Sequence, residues 1–124
     1  MRAWIDHFGK AFGWSLSGLR ILVTSEMAAR MELAAAAAGL AWIAWLGRSW
    51  QEIGVYVILC LVTLAVEALN TAVETIVDEI SPGRSSFAGR AKDLGSAAVF
   101  LMLGATGLYV LGLTAATVLS RASA

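Results

Sequence analysis

The side chains best suited to chemistry lie inside an apolar run. Between Ala65 and Ile80 the chain reads AVEALNTAVETIVDEI, with Glu67, Asn70, Glu74 and Asp78 at three- and four-residue steps. Turned as a helix at about 100° per residue, they fall at about 0°, 300°, 340° and 20°. They share an arc of about 80° and climb about 16 Å along the axis. The opposite face is Ala65, Leu69, Ala72, Val73, Ile76 and Ile80. Three carboxylates on one stripe at membrane depth repel each other and lose hydration. Their neutral forms are favoured unless something positive joins them. A divalent cation, a Lys or Arg from elsewhere, or protons would each serve.

Acidic oxygens at one level suit a hard cation. Mg²⁺ usually takes one or two carboxylates and leaves its other positions to water and substrate phosphates. Glu26 and Glu74 fit such a pair. Lys92 and Asp93, close to Gly89 and Gly95, suit phosphate and a second hydroxyl or a metal-bound water. Glu67, deeper and less hydrated, is placed for general-base work on a group arriving from the lipid. The sum is phosphoryl transfer across the membrane boundary, with a nucleotide from the water and an alcohol from the bilayer. Residue types alone leave two other readings open: a polar seam that holds helices together, and an ion or proton path. The chain has neither a Gly-rich loop ending in GKS or GKT nor a GxGxxG motif before a strand. His7 is the single histidine, so a histidine-rich metal site is not expected, and it reads as a solvated surface residue. The single cysteine, Cys60, excludes an internal disulfide and reads as a small hydrophobe.

Helices must hold these groups in place. Of 124 residues, 59% are hydrophobic and only 15% charged, and the mean hydropathy is +0.75. A soluble domain of that size has too little interior for so much apolar surface, which points to one integral membrane domain over residues 1–124. The formal net charge is zero, so no nucleic-acid partner is expected. No cleavable signal peptide is apparent. Residues 1–24 carry Trp4, Ile5, Phe8, Phe12, Leu16, Leu19 and Val23 among Asp6, Lys10, Ser17 and Arg20, the pattern of an amphipathic helix lying in the interface. Three transmembrane helices are expected at 27–46, 53–80 and 93–119. Ser25 is the expected cap of the first, with Glu26 in its first turn, and Glu26 and Arg30 are spaced for an ion pair. Trp42, Trp45 and Trp50 mark the far interface. Residues 47–52 are expected to turn, Ser81-Pro82-Gly83 to stop the second span, and the basic stretch from Arg84 to Lys92 to form a loop. Arg2, Lys10, Arg20, Arg30, Arg84, Arg90 and Lys92 lie on one side, and Arg48 and Arg121 on the other. That bias puts the N-terminus and the second loop in the cytoplasm.

EALNTAVETIVDEI followed about ten residues on by GRAKDLGSAAV resembles the small prokaryotic diacylglycerol kinase family, which includes undecaprenol kinases. Weaker similarity runs through GLR at Gly18–Arg20 and through Glu26, Arg30 and Glu32. The resemblance implies an all-α membrane protein: an N-terminal surface helix and three transmembrane helices, forming a homotrimeric bundle in the bacterial inner membrane. It implies a kinase that uses MgATP to phosphorylate a lipid alcohol, with diacylglycerol as acceptor and undecaprenol as the alternative. By position, Glu67 matches the family's general base, with Asn70 and Lys92 in the same catalytic group. Glu26 and Glu74 match metal- and ATP-binding carboxylates, and Asp78, Lys92 and Asp93 further ATP contacts. Arg30, Glu32, Trp45 and Ser96 match positions lining the lipid, and Gly83–Ser85 the position of a nucleotide loop. The chain departs from the family at His7, Trp14, Ser17 and Met31, positions that bear on nucleotide and lipid binding.

Overall fold

The computed structural model describes residues 2–83 and 85–123. Arg84, in the middle of the expected nucleotide loop, lies outside the described residues, as does the side chain of Arg2. Four helices follow in order: α1 (Arg2–Ser25), α2 (Met27–Trp45), α3 (Trp50–Ile80) and α4 (Ser86–Ala122). No strand occurs among the described residues. α2, α3 and α4 are each long and apolar enough to cross a membrane, so the chain is an all-α, multi-pass membrane protein.

Two helix starts and one cap differ from the sequence expectation, and each has a local cause. α3 starts three residues before Ile53 because Ser49 and Glu52 form a capping box. The Ser49 hydroxyl accepts from the Glu52 N–H, and the Glu52 carboxylate accepts from the Ser49 N–H at 2.9 Å. α4 starts seven residues before Asp93. Ser85 caps it, its hydroxyl accepting from the Ala88 N–H at 3.1 Å. The expected loop before Lys92 is therefore mostly helix, and Lys92 and Asp93 stand on a rigid element. Ser25 does not cap α2. It closes α1, its hydroxyl donating to the Ile21 carbonyl at 2.5 Å, and Glu26 takes the N-cap position with an extended backbone. Gly47, with φ +74°, turns the chain out of α2; that conformation suits a residue without a Cβ.

α3 packs chiefly against α4 and then against α2, while α1 touches α2 near their junction. Leu22 is buried there, whereas Trp4, Phe8, Phe12, Leu16 and Leu19 are exposed. The small core gathers Ile43 of α2, Tyr56 of α3 and Leu113 of α4. Gly39 makes this packing possible: a Cβ there would collide with the Tyr56 hydroxyl, which crosses to donate to the Ala36 carbonyl at 3.1 Å.

At this end of the bundle, polar side chains tie the helices together. Trp42 Nε1 donates to Thr114 Oγ1 at 2.9 Å. Arg48 is paired with Glu52 and donates to Thr117 Oγ1 at 3.3 Å. Tyr109 donates to the Glu52 carbonyl at 3.0 Å. Three helices thus share one hydrogen-bonded seam around the α2–α3 turn.

Candidate active site

α3 presents its polar stripe inward. Glu67 is only 5% exposed, Asn70 and Glu74 are half-buried, and Asp78 is exposed where the helix nears its end. Ala65, Leu69, Ala72, Val73, Ile76 and Ile80, the expected opposite face, are all exposed. The helical period therefore sorted the faces correctly, and the acids point at α2 and α4.

The acids converge across helices. Glu67 lies within electrostatic reach of Glu74 on its own helix and of Glu26 at the start of α2. Glu32, one turn and a half further along α2, is within reach of Glu67. Asn70 Nδ2 donates to Glu74 Oε1 at 3.2 Å. Glu26 makes no side-chain capping hydrogen bond, so its carboxylate is not committed to the helix end. Among the described residues, Glu32 Oε2 and Asn70 Oδ1 are buried with no hydrogen-bond partner. The two ion pairs among those residues, Arg48–Glu52 and Lys92–Asp78, leave these four glutamates without a cation. Arg30 does not form the ion pair with Glu26 that its spacing allowed; its guanidinium lies 3.8 Å from Met27 Sδ.

Two cavities lie along these helices. One, of about 450 Å³, sits at the α3–α4 turn and is lined by Asp78, Ser81, Gly83, Ser85, Gly89 and Lys92. Lys92 Nζ lies 2.5 Å from Asp78 Oδ1 at its edge. The other, of about 410 Å³, is an apolar groove between α2, α3 and α4. Glu32 stands in its wall with Gly39, Tyr56, Cys60, Thr106 and Gly107. The first cavity thus meets the polar stripe at Asp78 with an ammonium beside it, and the second carries the Glu32 carboxylate in an apolar wall.

Some expected site residues are exposed within the single chain. Asp93 and Ser96 are exposed on α4 and Arg30 on α2. Trp45 is 68% exposed, its ring 5.0 Å from that of Trp42. It stands thirteen residues along α2 from Glu32, about 20 Å at helical rise. Sequence reasoning missed Gly39 and Tyr56, and it took Gly95 only for a neighbour of Lys92 and Asp93. Each glycine interrupts a helical pattern, and that is the one hint a sequence offers of a close approach.

Comparison with known proteins identifies the fold's lineage. The family model described as prokaryotic diacylglycerol kinase matches residues 13–114. The chain belongs to the prokaryotic diacylglycerol kinase family. It is 40% identical over 105 residues to a diacylglycerol kinase from Sinorhizobium sp, covering 85% of this chain and 76% of that one. It is 38% identical over 104 residues to the diacylglycerol kinase of Haemophilus influenzae, covering 84% and 88%. The diacylglycerol kinase of Escherichia coli K12 is 35% identical over 94 residues, covering 76% and 77%. As a member of this family the chain is a lipid kinase, an enzyme of phosphoryl transfer. Every acid of the cluster, and Lys92, falls within the matched span.

Proposed function

We propose that the chain transfers the γ-phosphoryl group of MgATP to the hydroxyl of diacylglycerol, giving phosphatidic acid and ADP at the cytoplasmic face of a bacterial inner membrane. The observation that carries this reading is Glu67: a carboxylate 5% exposed, on an apolar helix, with three other carboxyl groups drawn toward it and no cation among the described residues beside them. A polar group so placed is expensive, and membrane proteins keep such groups for function.

The donor set fits a divalent cation. Glu26 and Glu74 both lie within electrostatic reach of Glu67 and offer hard oxygens, and two carboxylates suffice for Mg²⁺ when phosphates supply further ligands. When bound there, Mg²⁺ would screen charge on the nucleotide's phosphates. Lys92 has three donors, so it can keep Asp78 and still meet a phosphate in the α3–α4 cavity. Asp78 and Asp93 complete the nucleotide's surroundings. Glu67, with Asn70 beside it, accepts or orients the proton of the lipid hydroxyl. That oxygen bonds to the γ-phosphorus in line as the bond to the bridging oxygen of ADP breaks. Glu32, Arg30, Trp45 and Ser96 line the path of the lipid.

We further infer a homotrimer of single membrane domains, with α1 as an amphipathic surface helix and the N-terminus cytoplasmic. The Lys and Arg bias supports the orientation. The family resemblance supports the trimer, as does the exposure of Asp93, Ser96 and Arg30 within one chain: a neighbouring subunit would bring them to an acid cluster. The test is transfer of labelled γ-phosphate from ATP to diacylglycerol by the purified protein, with undecaprenol in parallel. Magnesium-dependent labelling of phosphatidic acid is expected. Labelling of undecaprenol alone would overturn the acceptor assignment, and labelling of neither lipid would overturn the whole reading.

A further inference from the structure

Asn70 reaches Glu74 because α4 has no side chain at residue 95. A Cβ built on Gly95 would collide with Asn70 Oδ1 and lie 3.1 Å from Asn70 Cγ and 3.8 Å from its Cβ. The carboxamide therefore occupies the space that any other residue's side chain would need. Its Oδ1 is buried with no conventional donor, and it faces the Gly95 Cα hydrogens, which serve as weak donors where helices approach closely. With the oxygen seated against α4, the nitrogen points along α3 and donates to Glu74 Oε1 at 3.2 Å. Glycine weakens a helix interior relative to alanine. α4 also carries Gly89, Gly104, Gly107 and Gly112, and a Cβ on any of these would meet nothing within 4 Å. Gly95 alone among the α4 glycines is in steric contact with the polar stripe.

We propose that Gly95 is a positioning residue. By leaving room for the Asn70 carboxamide, it fixes the orientation of the Glu74 carboxylate toward the metal–nucleotide. The proposal rests on the assignment of Glu74 made above. Any side chain at residue 95 would push the carboxamide out of its seat, and Glu74 would lose the donor that holds one of its oxygens.

The test is a double-mutant cycle on the purified enzyme, reading kinetic parameters for MgATP and for the lipid separately. Gly95→Ala should raise the apparent KM for MgATP about tenfold, an effect of the size expected for a directly coupled pair. The lipid KM should stay within about twofold, which a general loss of structure would not spare. Asn70→Ala should show the same MgATP defect. In the Asn70→Ala background, Gly95→Ala should add nothing, because the group it displaces is gone. Multiplying defects would overturn the proposal, and so would full MgATP affinity in Gly95→Ala. Should Gly95→Ala fail to assemble, the double variant decides: assembly with the kinetics of Asn70→Ala supports the proposal, and failure to assemble overturns it. Glu74→Ala is measured alongside. If it leaves the MgATP KM unchanged, the metal–nucleotide assignment fails and takes this proposal with it. If it raises that KM while Gly95→Ala does not, only the positioning role fails.

Discussion

At the Trp45 end of the bundle, Arg48 is held by Glu52 and Thr117, Trp42 by Thr114, and Tyr109 by a backbone carbonyl. At the Met27 end, Glu32 and Asn70 keep buried oxygens without partners, and four glutamates gather with no cation from the described residues beside them. Both ends put polar groups among apolar helices. The first satisfies them within the chain, so their energy goes into fixing three helices against one another. The second leaves them waiting for something from outside, at a cost in stability, as functional sites do. Substitutions should therefore separate cleanly: stability at one end, rate at the other.

The largest effect is expected from Glu67→Gln, which keeps the shape and removes the proposed base. Turnover should fall by roughly 10²–10⁴-fold, read as labelled phosphate transferred per unit time. Near-normal turnover would remove Glu67 from the base role. Lys92→Ala comes next, with a loss of about 10²–10³-fold in kcat. Its melting temperature should barely move, because the Lys92–Asp78 pair is solvent-exposed and contributes little to stability. A large drop in melting temperature would mean that the pair is structural after all.

The packed middle and the tied end should answer in stability instead. Gly39→Ala forces the Tyr56 hydroxyl out of its channel and should destabilise the bundle by about 1–3 kcal/mol. The smallest effect is expected from Trp42→Phe. It loses one interhelical hydrogen bond, worth about 0.6 kcal/mol in membrane proteins. Thermal unfolding in detergent measures both, with kcat within about twofold of the parent. Loss of kcat at unchanged stability in either variant would break the contrast between the ends.

How much of this was legible depends on which forces write into a single sequence. Span number follows from hydropathy, because a bilayer demands long apolar runs whatever the packing. The inward face of α3 was legible for a similar reason: polar residues at helical steps can only share a stripe. The start of α4 was misread because Gly89, Arg90 and Lys92 look like loop chemistry, while the Ser85 hydroxyl caps the helix one turn before Gly89. Ser49-x-x-Glu52 was a readable capping signature, and it places the start of α3. The close approaches at Gly39 and Gly95 were not readable. A glycine in a helix says that room is needed, but only the neighbouring helix says for whom. Within one chain Trp45 stands far along α2 from the acids and Ser96 is exposed, so their expected roles are not built into the single chain.

The most direct test of the contrast is the melting temperature of Glu67→Gln, measured on the preparation used for its turnover. An amide is less costly to bury than a carboxylate left without a cation, so the variant should melt at or above the parent's temperature while its rate collapses. A melting temperature well below the parent's, with phosphate transfer retained, would make Glu67 part of the scaffold and contradict the account.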